Sequence, residues 1–503
     1  MFRKLLLFSF LLTFFAVGLA VAQIDQPNLP DGKTHAQVIQ ALQQGKLNEV
    51  RQRGLAVFST PFHTADGLGD GPFDPAETDT RAFGMRPTLQ GNGTFLRVNG
   101  LDAQSCNECH TIVSNAFNPP VLGFAGVGGA VQNAIIMPSL IDVADSADDR
   151  VSFVAGHDPS LPLVFDGEAD YNGRFANPPF LFGGGGVELL GKEMTMDLQA
   201  LLDVAQTSPA GTVVNLDTHG VNFGFITSLG GGDVNLDDVE GIGFTPEKNE
   251  ECADHIGCSP EDVLVVRPFG RKGENFSMRD FDRGAMQFHF GMQPVEVVGA
   301  GVDADGDGVV DEVTIGEMSA LHVFDVTNPR PKMDSLTQQA ENGFGHFVSL
   351  GCSGCHIPVI ETYGQTVPLA HPEVADDPTA NVYANIDLKK AGFKAGPNGG
   401  VLVPLFADLK RHNMGPGLEE DFEFGEIPNT DFTTARLWGI ADTAPYIHDG
   451  RATTLFEAIE AHGGEAQSIR DAFLALSETD QREVLAFLGS LRVPDKPNES
   501  LVP

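Results

Sequence analysis

Cysteine occurs only six times in 503 residues, too seldom to staple a chain of this length as a disulfide scaffold. Basic side chains are also scarce: 31 Lys and Arg stand against 69 Asp and Glu, a formal charge of −38. Such a surface repels phosphate backbones, so nucleic acid is excluded as a partner while a basic protein fits. Beyond the first 22 residues there is no long apolar run, which excludes a polytopic membrane protein and predicts no integral span in the mature chain. What remains is a hydrophobic content of 42% in a chain long enough for two or three domains with cores of their own. The 58 Gly and 32 Pro point to much irregular loop.

The one apolar run has the build of a cleavable signal peptide. Arg3 and Lys4 precede Leu5 to Leu19, and Ala20-Val21-Ala22 closes the segment in an A-x-A pattern. This predicts export, to the periplasm, with residues 1–22 removed. No Cys follows the cleavage point, so a lipid acceptor is missing.

Further along, Thr34 to Arg53 reads as one polar helix. From Asn177 to Gly243 glycine is dense, which predicts an insertion with little regular structure. Helical periodicity returns near Met278 and is strongest after Leu455. Thr454 and Glu457 have the spacing of a capping box, and Gly463-Gly464 can close that helix. Leu455, Ile459 and His462 then share its inner face. Ser468 to Leu476 and Thr479 to Leu491 read as two more helices, the second capped by Ser477 and striped with Val484, Phe487, Leu488 and Leu491.

Two segments share one chemical motif: Cys106-Asn-Glu-Cys109-His110 and Cys352-Ser-Gly-Cys355-His356. C-x-x-C-H is the attachment sequence for c-type haem. Residues three apart on a helical turn share a face, so both sulfurs reach the two vinyl groups, and the adjacent His supplies the proximal nitrogen. A thioredoxin-like pair needs no His directly after it, and a zinc site made of the four thiols leaves both histidines unexplained. Two covalently bound haem c groups follow. With a haem in that core, His462 becomes a candidate axial ligand rather than an ordinary core histidine. Cys252 and Cys258 are most simply a local disulfide. Asp303, Asp305, Asp307 and Asp311 stand at positions 1, 3, 5 and 9 of a calcium-type loop with Gly308 at 6. Position 12 is Thr314, so Asp311 or Glu312 would have to supply the missing oxygens.

The block Thr443-Ala-Pro-Tyr-Ile-His-Asp-Gly-Arg-Ala-Thr-Thr-Leu455 closely resembles the C-terminal haem domain of the bacterial dihaem cytochrome c peroxidase superfamily. Within it the chain is most similar to the di-haem oxidoreductase, or thiol-oxidoreductase-like, family. Leu409 to Gly417, Leu437-Trp438-Gly439 and His462 to Ala466 resemble that family's other blocks; Asp408 to Leu491 matches densely and the middle of the chain patchily. The resemblance implies a sixth haem ligand fourteen residues after the His of the His-Asp-Gly block, which from His448 is His462. It also implies an inter-haem calcium held by Asn177 and by the backbone oxygens of Thr443 and Pro445. The peroxidases' Trp-Asp-Gly-Arg block has no copy here, since Trp438 is the only tryptophan. The nearest equivalent is Phe269 to Met278. By the same resemblance, the stretch after it would deliver a proton-handling group to the first haem, and His289 or Glu296 fits that role.

The expectation is a mainly α protein: a signal peptide at 1–22, an N-terminal cytochrome c-like haem domain at 23–335 with a Gly-rich insertion, and a C-terminal one at 336–503. One haem would accept electrons and the other reduce a small oxidant such as hydrogen peroxide, with a basic cytochrome c as donor. The alternatives are a dihaem electron carrier without substrate chemistry, or oxidation of a partner protein through a high-valent dihaem state.

Overall fold

The computed structural model describes residues 29, 32–69, 96–97, 100–101, 105–110, 135–138, 173–176, 178, 181–242, 263–420, 427–495, 497–498 and 501. The signal segment, Asn177, Cys252 and Cys258 lie outside the described residues.

The chain starts with α1 (His35–Gln43) and α2 (Leu47–Ser59). Thr34 and Gln37 close a capping box on α1, and Gly45, at φ 73°, ends it. The single helix expected over Thr34 to Arg53 is therefore two. Gly54 lets α2 lie directly on a later helix, α6, because a Cβ there would come 2.1 Å from the Ala320 carbonyl oxygen. Phe58 meets Phe324 across the same contact, with ring centres 5.4 Å apart.

The stretch 177–243 overturns its reading as unstructured. It holds α3 (Gly184–Thr207), 24 residues long, and an antiparallel sheet of β1 (Val213–Thr218), β2 (Val221–Gly230) and β3 (Asp233–Asn235). Here the glycines serve close approach rather than turning. A Cβ on Gly185 would lie 2.2 Å from the Val326 oxygen, and one on Gly186 2.4 Å from the Phe393 ring. Along β1 exposure alternates strictly, so Val214, Leu216 and Thr218 face inward while their neighbours face out.

Next come α4 (Met278–Ala285), α5 (Val295–Val298) and α6 (Ile315–Val326). Thr314 and Glu317 cap α6, and every residue from Gly316 to Val326 is buried. A helix apolar on most sides belongs at a centre, and α6 supports α2, α3 and α4. The remaining helices are α7 (Gln338–Leu350), α8 (Leu455–Glu460), α9 (Gln467–Leu474) and α10 (Glu478–Leu488). The capping box at Thr454 and the cap at Ser477 form as their spacing predicts.

Between α7 and α8 the chain runs mostly in short strands. β4 (Thr366–Ala370) pairs with β5 (Val382–Asp387), and Ile360–Glu361 joins Val401–Val403 and Lys394–Ala395. In all, 39% of the described residues are helical and 17% lie in strands, so the mainly α class is wrong and the protein mixes helices with several small sheets. Strands of two to six residues are too short for a two-residue alternation to stand out in sequence.

Two cores result. The larger joins α1, α2, α3, α6 and the β1–β3 sheet to residues 360–409, drawing on both sides of position 336. The smaller gathers Phe347, Phe406, Phe473, Phe487, Leu488 and Leu491 around α7, α9 and α10, with Cys352, Leu455 and Ile459 against it. Among the described residues no helix is long and apolar enough to cross a membrane.

Candidate functional site

The second C-x-x-C-H motif sits on the smaller core. Gly351, at φ 97°, ends α7, and the chain then makes one tight turn over Cys352–Gly354. The His356 amide donates to the Cys352 carbonyl at 3.0 Å, which stacks the two sulfurs and the imidazole within one turn. His356 Nδ1 lies 3.0 Å from the Phe406 carbonyl oxygen. On the far side, the helix-ending His462 has its Nδ1 2.7 Å from the Ala458 oxygen. With Nδ1 as donor in both rings, Nε2 is the atom each could offer a metal, and His356 also meets the Ala435 backbone in this structure.

The ring centres of His356 and His462 are 6.4 Å apart, at 57°. Two imidazoles bound on opposite sides of one metal, at about 2 Å per bond, have ring centres about 6 Å apart. The pair therefore fits an iron between them. Burial lowers both pKa values, that of His356 to about 4 with His462 as a further cause, so both rings are neutral ligands at pH 7. Beside them, His412 is held at 2.8 Å by both Asp408 and Glu465 and also meets Cys355. Burial opposes its charge, but Asp408, Cys355 and Glu465 raise its pKa to about 11. Asp408 and Glu465 favour its cationic form next to the Cys352–Gly354 turn.

The first motif repeats the turn. The His110 amide donates to the Cys106 carbonyl at 2.9 Å, and the His110 ring meets Phe281 of α4 edge-on, 6.1 Å between centres. Asp282 of α4 and Asp325 of α6 face one another close to Cys106. Burial, then these two carboxyls, push the Cys106 thiol well up.

His289 lies on a π-helical turn, Met286–Phe290, half-buried beside the Phe290 ring. Glu296, on α5, is half-buried with both oxygens on Arg279 Nε, at 3.1 and 3.3 Å. Arg279 also donates to Ser319, and His371 stands 3.8 Å from the Glu296 carboxylate. The two expected proton-handling residues thus occupy separate elements and different surroundings. Thr443 is buried, and Pro445 follows a cis peptide bond; their expected partner Asn177 is outside the described residues. Asp303, Asp305 and Asp307 converge, with one carboxylate oxygen from each within 4.8 Å of the others. Asp311 is outside that group: its carboxylate accepts from the Gly301 amide at 2.7 Å.

Sequence reasoning missed a buried charged network beside the first motif. Glu188 of α3 accepts from Lys192 at 2.6 Å and from the Met278 amide at 2.9 Å, and lies 3.0 Å from His322. Lys192 also reaches Glu373. The signal was available: His322 and Asp325 interrupt the apolar run of α6, and a charge in such a run needs a partner.

Residues 297–491 match the family model described as "Di-haem oxidoreductase, putative peroxidase". This part of the chain is similar to the di-haem oxidoreductase family. The chain is also 27% identical over 165 residues to the cytochrome-c peroxidase IdrP2 of Pseudomonas sp. (strain SCT), covering 31% of this chain. It spans 40% of the length of that relative. A solved structure of Kuenenia stuttgartiensis hydrazine synthase covers 35% of this chain and 55% of its own, at 17% identity and a TM-score of 0.21, which carries no argument about fold. The di-haem oxidoreductase match takes in Cys352, Cys355, His356 and His462. The first motif, at Cys106 to His110, lies ahead of it. The match agrees with the resemblance stated from sequence over residues 297–491.

Proposed function

We propose that this protein is an exported two-haem c-type oxidoreductase. Electrons enter at the site of Cys352, Cys355, His356 and His462. They pass to the site of Cys106, Cys109 and His110, where a small oxidant, hydrogen peroxide first, is reduced to two waters by two electrons and two protons. The observation that carries this reading is the His356–His462 pair, with its 6.4 Å ring separation and both Nδ1 atoms on backbone carbonyls. Were His356 and His462 both to hold the haem iron, no position would remain for substrate, which suits electron entry. Haem supplies the one-electron couple. Phe406 and Ala458 orient the two rings, and His412 places positive charge beside the attachment turn.

His289 or Glu296 is the residue we assign to proton transfer at the oxidant, and Glu296 carries Arg279 on its carboxylate. The acidic surface favours a basic cytochrome c as donor. Periplasmic location is supported by the segment Met1 to Ala22 and by haem attachment outside the cytosol.

The test is electron paramagnetic resonance and optical spectroscopy of the haem-matured protein, oxidised and half-reduced, with and without peroxide. One low-spin bis-histidine signal that His462→Ala removes, plus a second haem whose signal changes with peroxide, is the expected result. Two low-spin signals indifferent to peroxide would leave an electron carrier and sink the enzyme.

A further inference from the structure

We infer, resting on the two-haem reading above, that Glu188 is a positioning residue for the first haem site: it fixes α4, the helix that serves His110, Glu296 and His289. Arg279 of α4 holds the Glu296 carboxylate at 3.1 Å, and Phe281 meets the His110 ring edge-on with 6.1 Å between centres. The helix then runs on without a break, since Met286 keeps a helical φ of −56° and ψ of −46°, into the π-helical turn that bears His289. Whatever sets the start of α4 therefore sets all three.

That start is held by a buried carboxylate. Glu188 of α3 is 0% exposed, and its Oε2 accepts from the Met278 amide, the first of α4, at 2.9 Å. Its Oε1 accepts from Lys192 at 2.6 Å, and Nε2 of His322, on α6, stands 3.0 Å from both oxygens. Lys192 goes on to the Pro368 carbonyl at 2.6 Å and to Glu373. Glu373 in turn accepts from Ser277, whose Oγ caps α4 by accepting from the Asp280 amide at 3.0 Å. Burial opposes the charge of Glu188, but His322 and Lys192 hold its carboxyl below the usual carboxylate range.

Charges buried to this depth are costly unless their lone pairs and protons are met. Filling a core needs only apolar side chains, which α3 supplies with Val187, Leu190, Met194 and Leu198. What the network adds is direction, because hydrogen bonds tie Glu188 to three helices at set distances. The other end of the run is pinned as well: the Phe290 carbonyl accepts from the Gly69 amide at 2.8 Å, and the Phe62 and Phe290 rings meet at 5.2 Å. Glu188 is the clamp one turn from Phe281.

Every group that faces the Glu188 carboxylate is a donor: an ammonium, a backbone N–H and the imidazole N–H that a carboxylate selects. Glu188→Gln keeps the size but turns one acceptor into a donor aimed at donors, so α4 loses its fixed start. Glu193, further along α3, gives a matched control. It is also buried, but its oxygens accept from the Tyr363 and Gly364 amides at 2.7 and 2.8 Å, not from α4.

The test compares Glu188→Gln, Glu193→Gln and the parent as haem-matured full chains, by hydrogen exchange and by spectroelectrochemical titration of each haem, with no peroxide and no turnover. In Glu188→Gln, amide exchange over 278–290 should be at least about tenfold faster. The reduced-to-oxidised ratio of the first haem, read at its parent midpoint, should move at least about threefold, and that of the second haem by less than about 1.5-fold. Glu193→Gln should leave the first haem and 278–290 as in the parent. If Glu188→Gln fails to fold, Ser277→Ala serves, because it removes the cap and the link to Glu373 while leaving the core filled. Unchanged exchange over 278–290, an unmoved first haem, equal shifts at both haems, or the same response in Glu193→Gln would each overturn the proposal. A chain that matures with a single haem removes the two-haem reading and the positioning role with it, whereas an unmoved first haem removes the role alone.

Discussion

Asp282 and Asp325 form the sharpest conflict between single residues in this protein. Both are buried, and neither oxygen of Asp325 has a well-formed hydrogen bond from any group other than Asp282. Burial first, then the facing carboxyl, raise the pKa of Asp282 well above the usual carboxylate range, and burial does the same for Asp325. An acid whose folded pKa is raised stabilises the fold fully below its unfolded value, near 4, and loses that contribution as pH rises through the folded value. Asp325→Asn should therefore raise the melting midpoint at pH 8 by about 2–4 °C, with the gain shrinking towards pH 4. Thermal melts at pH 4, 6 and 8 check this, and a variant destabilised equally at all three contradicts it. The place of His462, just past the end of α8 and near His356, was readable from sequence because its helix face and cap agree. Asp325 was not, because its partner lies on another helix and only packing brings α4 to α6.

At the level of elements, short glycines decide where helices meet. Gly185 sits in the first turn of α3 against the backbone of Val326, and Gly54 in α2 against Ala320. Gly185→Ala should cost about 1–3 kcal/mol by overpacking. Gly284, in α4, has nothing within 4 Å of the Cβ position, so Gly284→Ala should be neutral or stabilising by up to about 1 kcal/mol. Denaturant melts of the two variants separate close approach from helix propensity, and equal effects would refute the packing account. Helix ends were legible in sequence where a cap is a local side-chain bond, as at Thr454 and Ser477. The glycines of 182–186 were misread because sequence cannot say whether a missing Cβ serves a turn or a neighbour.

Over the whole molecule, the formal charge of −38 is the dominant long-range feature. If a basic cytochrome is the donor, its association rate should fall at least about tenfold between low ionic strength and 0.2 M, as the screening length drops below 10 Å. Stopped-flow reduction across a salt series measures this, and a flat profile argues for a neutral or acidic donor.

What the sequence determined by itself is the chemistry that is local in the chain. Two attachment turns, their histidines and the caps of the last helices depend on residues within a turn or two of each other, so spacing alone specifies them. The small sheets, the split of the first helix and the buried Glu188–Lys192–His322 network were decided by the tertiary structure. Each depends on which distant backbone or side chain arrives alongside. Spacing along the chain carries no information about that, and burial, which sets the cost of every unpaired charge, exists only once the fold has closed.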